Sequence, residues 1–178
     1  RTGVAVLDGN ETELELSGLG DDMFTHFGLG CRSTTKIFLP EGFDLDRCFA
    51  QWIKWSEIGN HNKFANNYDY HKAIWLLNGD DIIENGFLLV KKDEGWFSPV
   101  GTIYVEFYND LKKVVSKISD YSDGIQVVTS RSGFCEFQES ITNASPSISQ
   151  DLLGSSQCPK ISDYADGVDT VEFLKCLK

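Results

Sequence analysis

The sequence lacks the features that mark several large classes of protein. No apolar run approaches the roughly 18 residues that a membrane-spanning helix requires. Four prolines and 16 glycines among 178 residues are too few and too scattered for a collagen-like or low-complexity chain. The apolar share of 41% is typical of globular domains, which at this length bury about two thirds of their unfolded surface. We therefore expect one domain over residues 1–178.

Positive charge is also scarce. The chain has 16 Lys and Arg against 27 Asp and Glu, which gives a net charge of -11. Such a surface repels the phosphates of nucleic acids and the headgroups of anionic lipids. We therefore expect neither nucleic acid nor a membrane among its partners.

Cysteine spacing matches no familiar framework. An odd number of cysteines without any C-x-x-C pair fits neither a set of disulfides nor a zinc site, and the three histidines fall in no metal-binding spacing. We interpret the cysteines as reduced thiols, expect no metal site, and predict a cytoplasmic protein. The cysteines are Cys31, Cys48, Cys135, Cys158 and Cys176.

Apolar periodicity predicts that strands and helices alternate along the chain. Such alternation indicates a layered α/β domain, in which helices flank a mostly parallel sheet and ligands lie beyond the carboxyl ends of the strands. Strands are expected at 4–7, 36–39, 87–90, 100–107 and 125–129, and helices at 10–27, 44–53, 70–77, 110–118 and 168–177. Asn10, with Glu13 three residues later, is the expected cap of the first helix. Val171, Leu174 and Leu177 are expected to face inward in the last.

Two polar segments show no periodicity. Residues 56–67 are rich in Asn and are predicted to form a loop that contains His61. Residues 140–156 are rich in Ser, contain Pro146, and are predicted to form a long surface loop.

Cys31 is the strongest candidate for a nucleophile. It follows Gly28-Leu29-Gly30 in a turn between a helix and a strand, and Arg32 and Lys36 lie nearby in the chain. A neighbouring cation lowers the pKa of a thiol, and glycines let a substrate carbonyl approach the sulfur and the Cys31 N–H. The alternative is a packed cysteine, because free cysteines are among the most buried residues. His61 is either a base for Cys31 or a plain surface residue.

The segment 94–99 is a second unusual feature. It places Trp96 and Phe97 beside the acidic Glu94 at the end of a strand. These aromatic side chains either stay exposed or fold back onto the core. The sequence has no G-x-G-x-x-G and no P-loop, so it shows no phosphate-binding turn.

Several segments together resemble the acyl-CoA reductase family related to the fatty-acid reductase of bacterial luminescence, a branch of the aldehyde dehydrogenase superfamily. They span nearly the whole chain. The resembling segments are 4–11, 27–33 (Phe-Gly-Leu-Gly-Cys-Arg-Ser), 60–63, 66–70, 85–89 and 163–169 (Asp-Tyr-Ala-Asp-Gly-Val-Asp).

The resemblance implies roles for three residues. Cys31 would accept the acyl group of an acyl-CoA or another acyl thioester, and an acyl-enzyme would be reduced by NADPH to the aldehyde. Glu94 and Phe97 would contact the ribose and the ring of the nicotinamide cofactor. This chain departs from the family pattern, because Ser98 replaces a Gly and Glu94 stands one residue further from Phe97.

The resemblance also implies a larger enzyme that forms a homo-oligomer. The family's dinucleotide-binding half, which would hold most of NADPH, its general-base Glu and its oxyanion-hole Asn lie upstream of the nucleophile, so the chain is expected to be a C-terminal catalytic fragment. Two other classes of function stay open. One is an acyltransferase or hydrolase that uses Cys31 without reduction, and the other is a non-catalytic α/β binding or assembly domain.

Overall fold

Strands alternate with helices in the computed structural model of the chain, which describes residues 1–160, 163 and 168–176. Short 3-10 helices follow α1, α2 and α4 at Thr25–Gly28, Ile53–Asn60 and Ser122–Gly124. The main elements are β1 (Thr2–Val6), α1 (Glu13–Phe24), β2 (Thr34–Pro40), α2 (Asp46–Trp52), α3 (Asn62–Asn78), β3 (Ile82–Glu84), β4 (Leu89–Lys92), β5 (Thr102–Tyr108), α4 (Leu111–Asp120), β6 (Ile125–Ser130), α5 (Cys135–Ala144), β7 (Ser149–Leu152) and α6 (Thr170–Cys176).

Seven strands of the described part of the chain form one sheet in the order β3-β4-β5-β2-β1-β6-β7. Only β3 is antiparallel to its neighbour, and every other pair is parallel. The predicted α/β architecture with a mostly parallel sheet is therefore confirmed.

Helices cover both faces of the sheet. Ala5 and Leu7 of the β1 region pack toward α1 and α2, whereas Val4 and Val6 pack toward α4 and α5. All four side chains are fully buried. A continuous apolar run in β1 follows from this burial on both faces, as in other parallel sheets.

The first helix begins two residues later than predicted. The Thr12 hydroxyl accepts a hydrogen bond from the Glu15 N–H at 3.2 Å, and the Glu15 carboxylate accepts one from the Thr12 N–H at 2.9 Å. This reciprocal pair is a capping box. The predicted cap, Asn10, instead donates its N–H to the Asp8 carboxylate at 2.9 Å.

Both predicted loops contain regular structure. Residues 56–60 end a 3-10 helix and residues 62–67 begin α3, in which the buried side chains of Phe64 and Tyr68 lie four residues apart on one face while the asparagines face outward. The segment 140–156 contains the end of α5, anchored by buried Ile141, and the short edge strand β7. A mostly solvated helix and an edge strand are both rich in polar residues, so polarity alone does not distinguish them from loops.

The last helix does not bury its apolar residues. Val171 is 62% and Leu174 is 58% exposed, which contradicts the prediction that they face inward. An amphipathic pattern shows that a helix has an apolar face, but it does not show what covers that face. Leu177 and Tyr164–Gly167 of the resembling segment lie outside the described residues. Within the described chain, no helix is both long and apolar enough to cross a bilayer.

Helix α1 touches the chain that follows β7 at a pair of glycines. A Cβ on Gly18 would lie 2.9 Å from the Cα of Gly154 and 3.0 Å from the carbonyl oxygen of Leu153. Backbone therefore meets backbone at this point, which explains a residue that is otherwise unfavourable inside a helix.

We expect Gly18→Ala to destabilise the fold although alanine favours helix. Overpacking of this kind costs about 1–3 kcal/mol, and a domain of this size loses about 2–4 °C of melting temperature per kcal/mol. Gly59→Ala is the control, because its Cβ would lie 3.6 Å from Phe87, an ordinary contact distance. A melting temperature of Gly18→Ala at or above that of the parent chain would contradict the close approach.

Candidate active site

The five cysteines are all free, and burial separates one of them from the rest. Cys48 is fully buried in α2, and burial raises the pKa of its thiol to about 12. It is therefore not available as a nucleophile near neutral pH. The exposed cysteines are Cys31, Cys135, Cys158 and Cys176.

An unusual backbone path leads from α1 to Cys31. His26 and Phe27 both have φ near +59°, and Gly28 continues the left-handed path at +72°. Left-handed backbone costs roughly 1–2 kcal/mol for a residue with a side chain, so the surroundings must hold this turn in place. Sequence reasoning identified the glycine and missed the two strained residues.

A tight turn then presents Cys31 to solvent. The Ser33 N–H donates to the Gly30 carbonyl at 2.9 Å, and the Gly30 N–H donates to the Ser33 hydroxyl at 3.1 Å. Cys31 lies at the tip of this turn and is exposed. The turn is thus closed by two hydrogen bonds, and neither uses the Cys31 backbone.

His61 packs beside the same path. Its ring lies 4.4 Å, centroid to centroid, from the ring of Phe27, at an angle of 34°. His61 is the residue that precedes α3, so the helix places it there. This contact supports the left-handed backbone at Phe27, and the role of His61 as a base stays a prediction.

The two cations that flank Cys31 in sequence are paired inside the molecule. The Arg32 guanidinium lies 2.5 Å from the Asp151 carboxylate, and its Nε donates to the Ser156 carbonyl. Lys36 is fully buried in β2, where its ammonium lies 2.9 Å from the Glu106 carboxylate. Their charges are therefore neutralised by these partners. These ion pairs weaken the argument that the two cations activate the Cys31 thiol, and that activation stays a prediction.

The segment 94–99 is fastened to the strand that follows Cys31. The Thr35 hydroxyl donates to the Trp96 carbonyl at 2.6 Å, and the Lys36 ammonium donates to the Asp93 carbonyl. At the far end, the Ser98 hydroxyl donates to the Thr102 carbonyl at 2.9 Å. Residues of β2 and β5 thus hold both ends of the segment.

The two aromatic side chains of this segment behave differently. Trp96 stacks on Tyr121 at 4.8 Å and packs edge-on against Phe38, so it does fold back onto the core. Phe97 stays 49% exposed, with one edge toward Tyr121. Glu94 is exposed at the start of the segment. Phe97 and Glu94 are therefore both accessible to a ligand.

Cys31 and Phe97 lie at the same edge of the sheet. Cys31 lies shortly before β2 and Phe97 shortly before β5, and these strands are parallel neighbours. A narrow pocket of about 20 Å³ joins the two segments and is lined by Gly28, Thr34 and Ser98 among others. It has room for a water molecule but not for an acyl group. Both candidate residues therefore lie at the amino ends of their strands, whereas the sequence predicted ligands beyond the carboxyl ends.

A buried carboxylate that sequence reasoning missed ties a third segment to this edge. Asp22 of α1 accepts hydrogen bonds from the Gly154 N–H at 2.7 Å, the Ser156 N–H at 2.9 Å and the Ser156 hydroxyl at 2.7 Å. Burial raises the pKa of Asp22, although these hydrogen bonds oppose the rise. Asp22 lies three residues after Leu19 and next to Met23, which are both buried in α1, and this position was the signal in the sequence that could have revealed its burial.

Asp22 holds a second tight turn against the one that carries Cys31. The Cys158 N–H donates to the Ser155 carbonyl at 3.0 Å and closes this second turn. The Gln157 amide then donates to the Ser33 hydroxyl at 3.4 Å. Three segments therefore meet around Cys31: its own turn, the segment 94–99 and the turn 155–158.

Comparison with known proteins identifies the fold. No family model and no curated protein matches the chain. Among solved structures, an NAD-dependent aldehyde dehydrogenase from Burkholderia multivorans is similar over 94% of this chain, at a TM-score of 0.60 and 9% identity. The Delta-pyrroline-5-carboxylate dehydrogenase from Mycobacterium tuberculosis matches 86% at 0.59 and 12% identity. An indole-3-acetaldehyde dehydrogenase in complex with NAD+ matches 93% at 0.62 and 7% identity. The chain has an aldehyde dehydrogenase-like fold.

The match covers only part of each of these proteins. The chain spans 38%, 34% and 41% of their lengths, respectively. At such low identity the likeness concerns the fold alone. The predicted likeness in fold to aldehyde dehydrogenases is confirmed, and this likeness does not distinguish the acyl-CoA reductase family.

We expect Arg32→Gln to destabilise the chain strongly, because it leaves Asp151 buried without its cation. Both side chains are at most 14% exposed, and breaking such a pair on one side costs about 3–5 kcal/mol. The double variant Arg32→Gln, Asp151→Asn should recover part of the loss in a denaturant titration. Lys175→Gln breaks the exposed pair with Glu172 and should change stability by less than about 0.5 kcal/mol. Equal losses in the single and double variants would contradict the pairing.

Proposed function

We propose that this chain is the thiol-bearing catalytic part of an acyl-CoA reductase, in which Cys31 accepts the acyl group and NADPH reduces it. One observation carries the proposal. Cys31 is exposed at the tip of a fixed turn and shares one sheet edge with the accessible Phe97, in an aldehyde dehydrogenase-like fold. The sequence resemblance supplies the acyl thioester as the substrate class.

The acyl transfer step follows from the chemistry of the thiol. The Cys31 thiolate attacks the thioester carbonyl carbon, a new carbon–sulfur bond forms, and the bond to CoA breaks. CoA leaves as a thiolate and takes up a proton from solvent. One thioester replaces another, so the step costs little free energy and fixes the acyl group to the protein.

The turn contributes its backbone to this step. The Gly30 N–H already donates to Ser33, whereas the Cys31 N–H has no hydrogen-bond partner among the described residues. It is therefore available to donate to the oxygen on which negative charge develops. Gly28 and Gly30 carry no side chains that would obstruct the approaching carbonyl.

The segment 94–99 suits one side of a nicotinamide cofactor. The half-exposed Phe97 ring offers an apolar surface to an aromatic ring, and the exposed Glu94 carboxylate can accept hydrogen bonds from ribose hydroxyls. When bound, NADPH supplies the hydride that converts the acyl group to the aldehyde. Hydrogen bonds from Thr35 and Ser98 keep this segment in place beside Cys31.

Substitution of Cys31 tests the acyl-transfer step. Cys31→Ala should abolish the covalent adduct that radiolabelled acyl-CoA forms with the chain, and Cys31→Ser should lose most of the rate, because a hydroxyl is far less acidic than a thiol. Cys135→Ala, which removes another exposed thiol, is the control and should label normally. The free energy of unfolding of all three variants should lie within about 0.5 kcal/mol of that of the parent chain.

The possible results separate the competing functions. Labelling that persists in Cys31→Ala would refute the catalytic role. A Cys31 adduct that is released as acid or passed to another acceptor at the same rate with and without NADPH would indicate a hydrolase or acyltransferase. Aldehyde formation that requires NADPH, in a protein that joins this chain to a nucleotide-binding part, would support the reductase.

The isolated chain should bind NADPH weakly or not at all in calorimetric titration. Glu94 and Phe97 can contact only one side of the cofactor, and the described part of the chain has no phosphate-binding glycine turn. Phe97→Ala should reduce any weak signal further, because it removes one of these two contacts. Micromolar binding by the chain alone would mean that the cofactor site lies elsewhere.

A further inference from the structure

Two tight turns, each carrying an exposed cysteine, lie against each other at the amino edge of the sheet. We infer that Cys31 and Cys158 form a redox-sensitive thiol pair, which an oxidant of the peroxide class closes into a disulfide. No aspect of the proposed acyl transfer uses Cys158. Its position therefore calls for a separate explanation.

The contacts between the turns bring the neighbours of both cysteines together. Arg32, which follows Cys31, donates through its Nε to the carbonyl of Ser156. Gln157, which precedes Cys158, donates through its side-chain amide to the Ser33 hydroxyl at 3.4 Å.

A further distance places the second turn beside the residue before Cys31. The side-chain oxygen of Gln157 lies 3.5 Å from the position that a Cβ would occupy on Gly30. Gly30, Arg32 and Ser33 therefore all contact residues 156 and 157. Cys31 lies within the first group, and Cys158 follows the second directly.

Exposure and location distinguish this pair from the other cysteines. Cys31 and Cys158 are both exposed, so a small oxidant reaches both sulfurs. Cys48 is buried, Cys135 is the first residue of α5, and Cys176 is the last residue of α6. None of these three lies on the two turns.

Neither cysteine lies in a helix or strand, so a disulfide between them interrupts no regular element. A disulfide requires Cα atoms about 4.4–6.8 Å apart. Cys31 follows Gly30 in the first turn, and Cys158 ends the second turn before Pro159. Arg32 joins the two turns directly through its hydrogen bond to Ser156, and Asp22 ties Ser156 to α1, which keeps the two thiols at high effective concentration.

The oxidation proceeds in two balanced steps. One thiolate attacks hydrogen peroxide, the O–O bond breaks, and the cysteine becomes a sulfenic acid while hydroxide leaves. The second thiol then attacks that sulfur and displaces water, which forms the S–S bond. In total, two thiols are oxidised and one peroxide is reduced to two water molecules. A dithiol such as dithiothreitol reverses the reaction by exchange.

Disulfide formation would switch off the site, and this consequence rests on the proposed function. With its sulfur in a disulfide, Cys31 has no thiolate with which to accept an acyl group. The disulfide would also protect Cys31 from further oxidation to a sulfinic acid, which thiols do not reverse. Formation of the disulfide itself does not depend on acyl transfer, so the two proposals can fail separately.

Peroxide treatment of the native chain tests the pair. The dilute chain is treated with hydrogen peroxide, free thiols are blocked with N-ethylmaleimide, and peptides are mapped by mass spectrometry without reduction. We expect an intramolecular peptide pair that joins Cys31 to Cys158, and dithiothreitol should release it. In Cys158→Ser this pair should be absent, and dimedone should trap a sulfenic acid at Cys31. Cys135→Ser is the matched control and should behave as the parent chain does.

The outcomes decide between the thiol pair and an isolated reactive cysteine. Oxidation of Cys31 to sulfenic or sulfinic acid in the parent chain, with Cys158 still blocked by N-ethylmaleimide, would overturn the proposal. A disulfide to any other cysteine, or between two chains, would overturn it as well. A reversible Cys31–Cys158 disulfide in a chain whose reduced form never accepts an acyl group would uphold the pair and reject the proposed function.

Discussion

Two buried charges on opposite sides of the site hold its loops in position. Asp22 accepts three hydrogen bonds from the chain after β7, and Arg32 pairs with Asp151 and donates to Ser156. Removing such charges from water is costly, and only complete hydrogen bonding offsets the cost. These residues therefore contribute position more than stability. They fix where the turn that carries Cys31 lies relative to the turn 155–158.

Close backbone packing supports the same arrangement. Gly18 and Gly154 let α1 and the chain after β7 approach until their backbones touch, one turn of helix before Asp22. Without that approach the Asp22 carboxylate could not reach the Gly154 N–H at 2.7 Å. A side chain on either glycine would therefore disturb the loop contacts as well as the core. Stability and the geometry around Cys31 depend here on the same few atoms.

Local patterns in the sequence predict those parts of the fold that depend on local interactions. The strands around Val4 and Ile103 follow from short apolar runs, and the structure has both. Of the helix at 62–78, the part at 70–77 was predicted and the first turns were missed, because their buried side chains are few and their exposed face is rich in Asn. Edge strand β7 was missed because it is short and polar. Each of these two segments has too few apolar residues for a helical or strand periodicity to be recognised in the sequence.

The candidate site shows the same division between local and distant information. Cys31 could be singled out because its glycines are adjacent in sequence. The partners of Arg32 could not, since Asp151 lies more than a hundred residues away and becomes a neighbour only through the register of β6 and β7. The expectation that Arg32 activates the thiol therefore took no account of this ion pair. A cation next to a cysteine in the sequence does not show which group it pairs with in the folded chain.

Presentation of the thiol therefore depends on backbone geometry rather than on flanking charge. The left-handed path through His26, Phe27 and Gly28 turns the chain sharply after α1, and the Gly30–Ser33 turn then directs Cys31 to the surface. The unfavourable backbone energy of this path must be compensated by its contacts, of which the ring of His61 on Phe27 is one. Backbone energy of this kind is consistent with a site selected for position, because a merely structural turn could use glycine at all three residues.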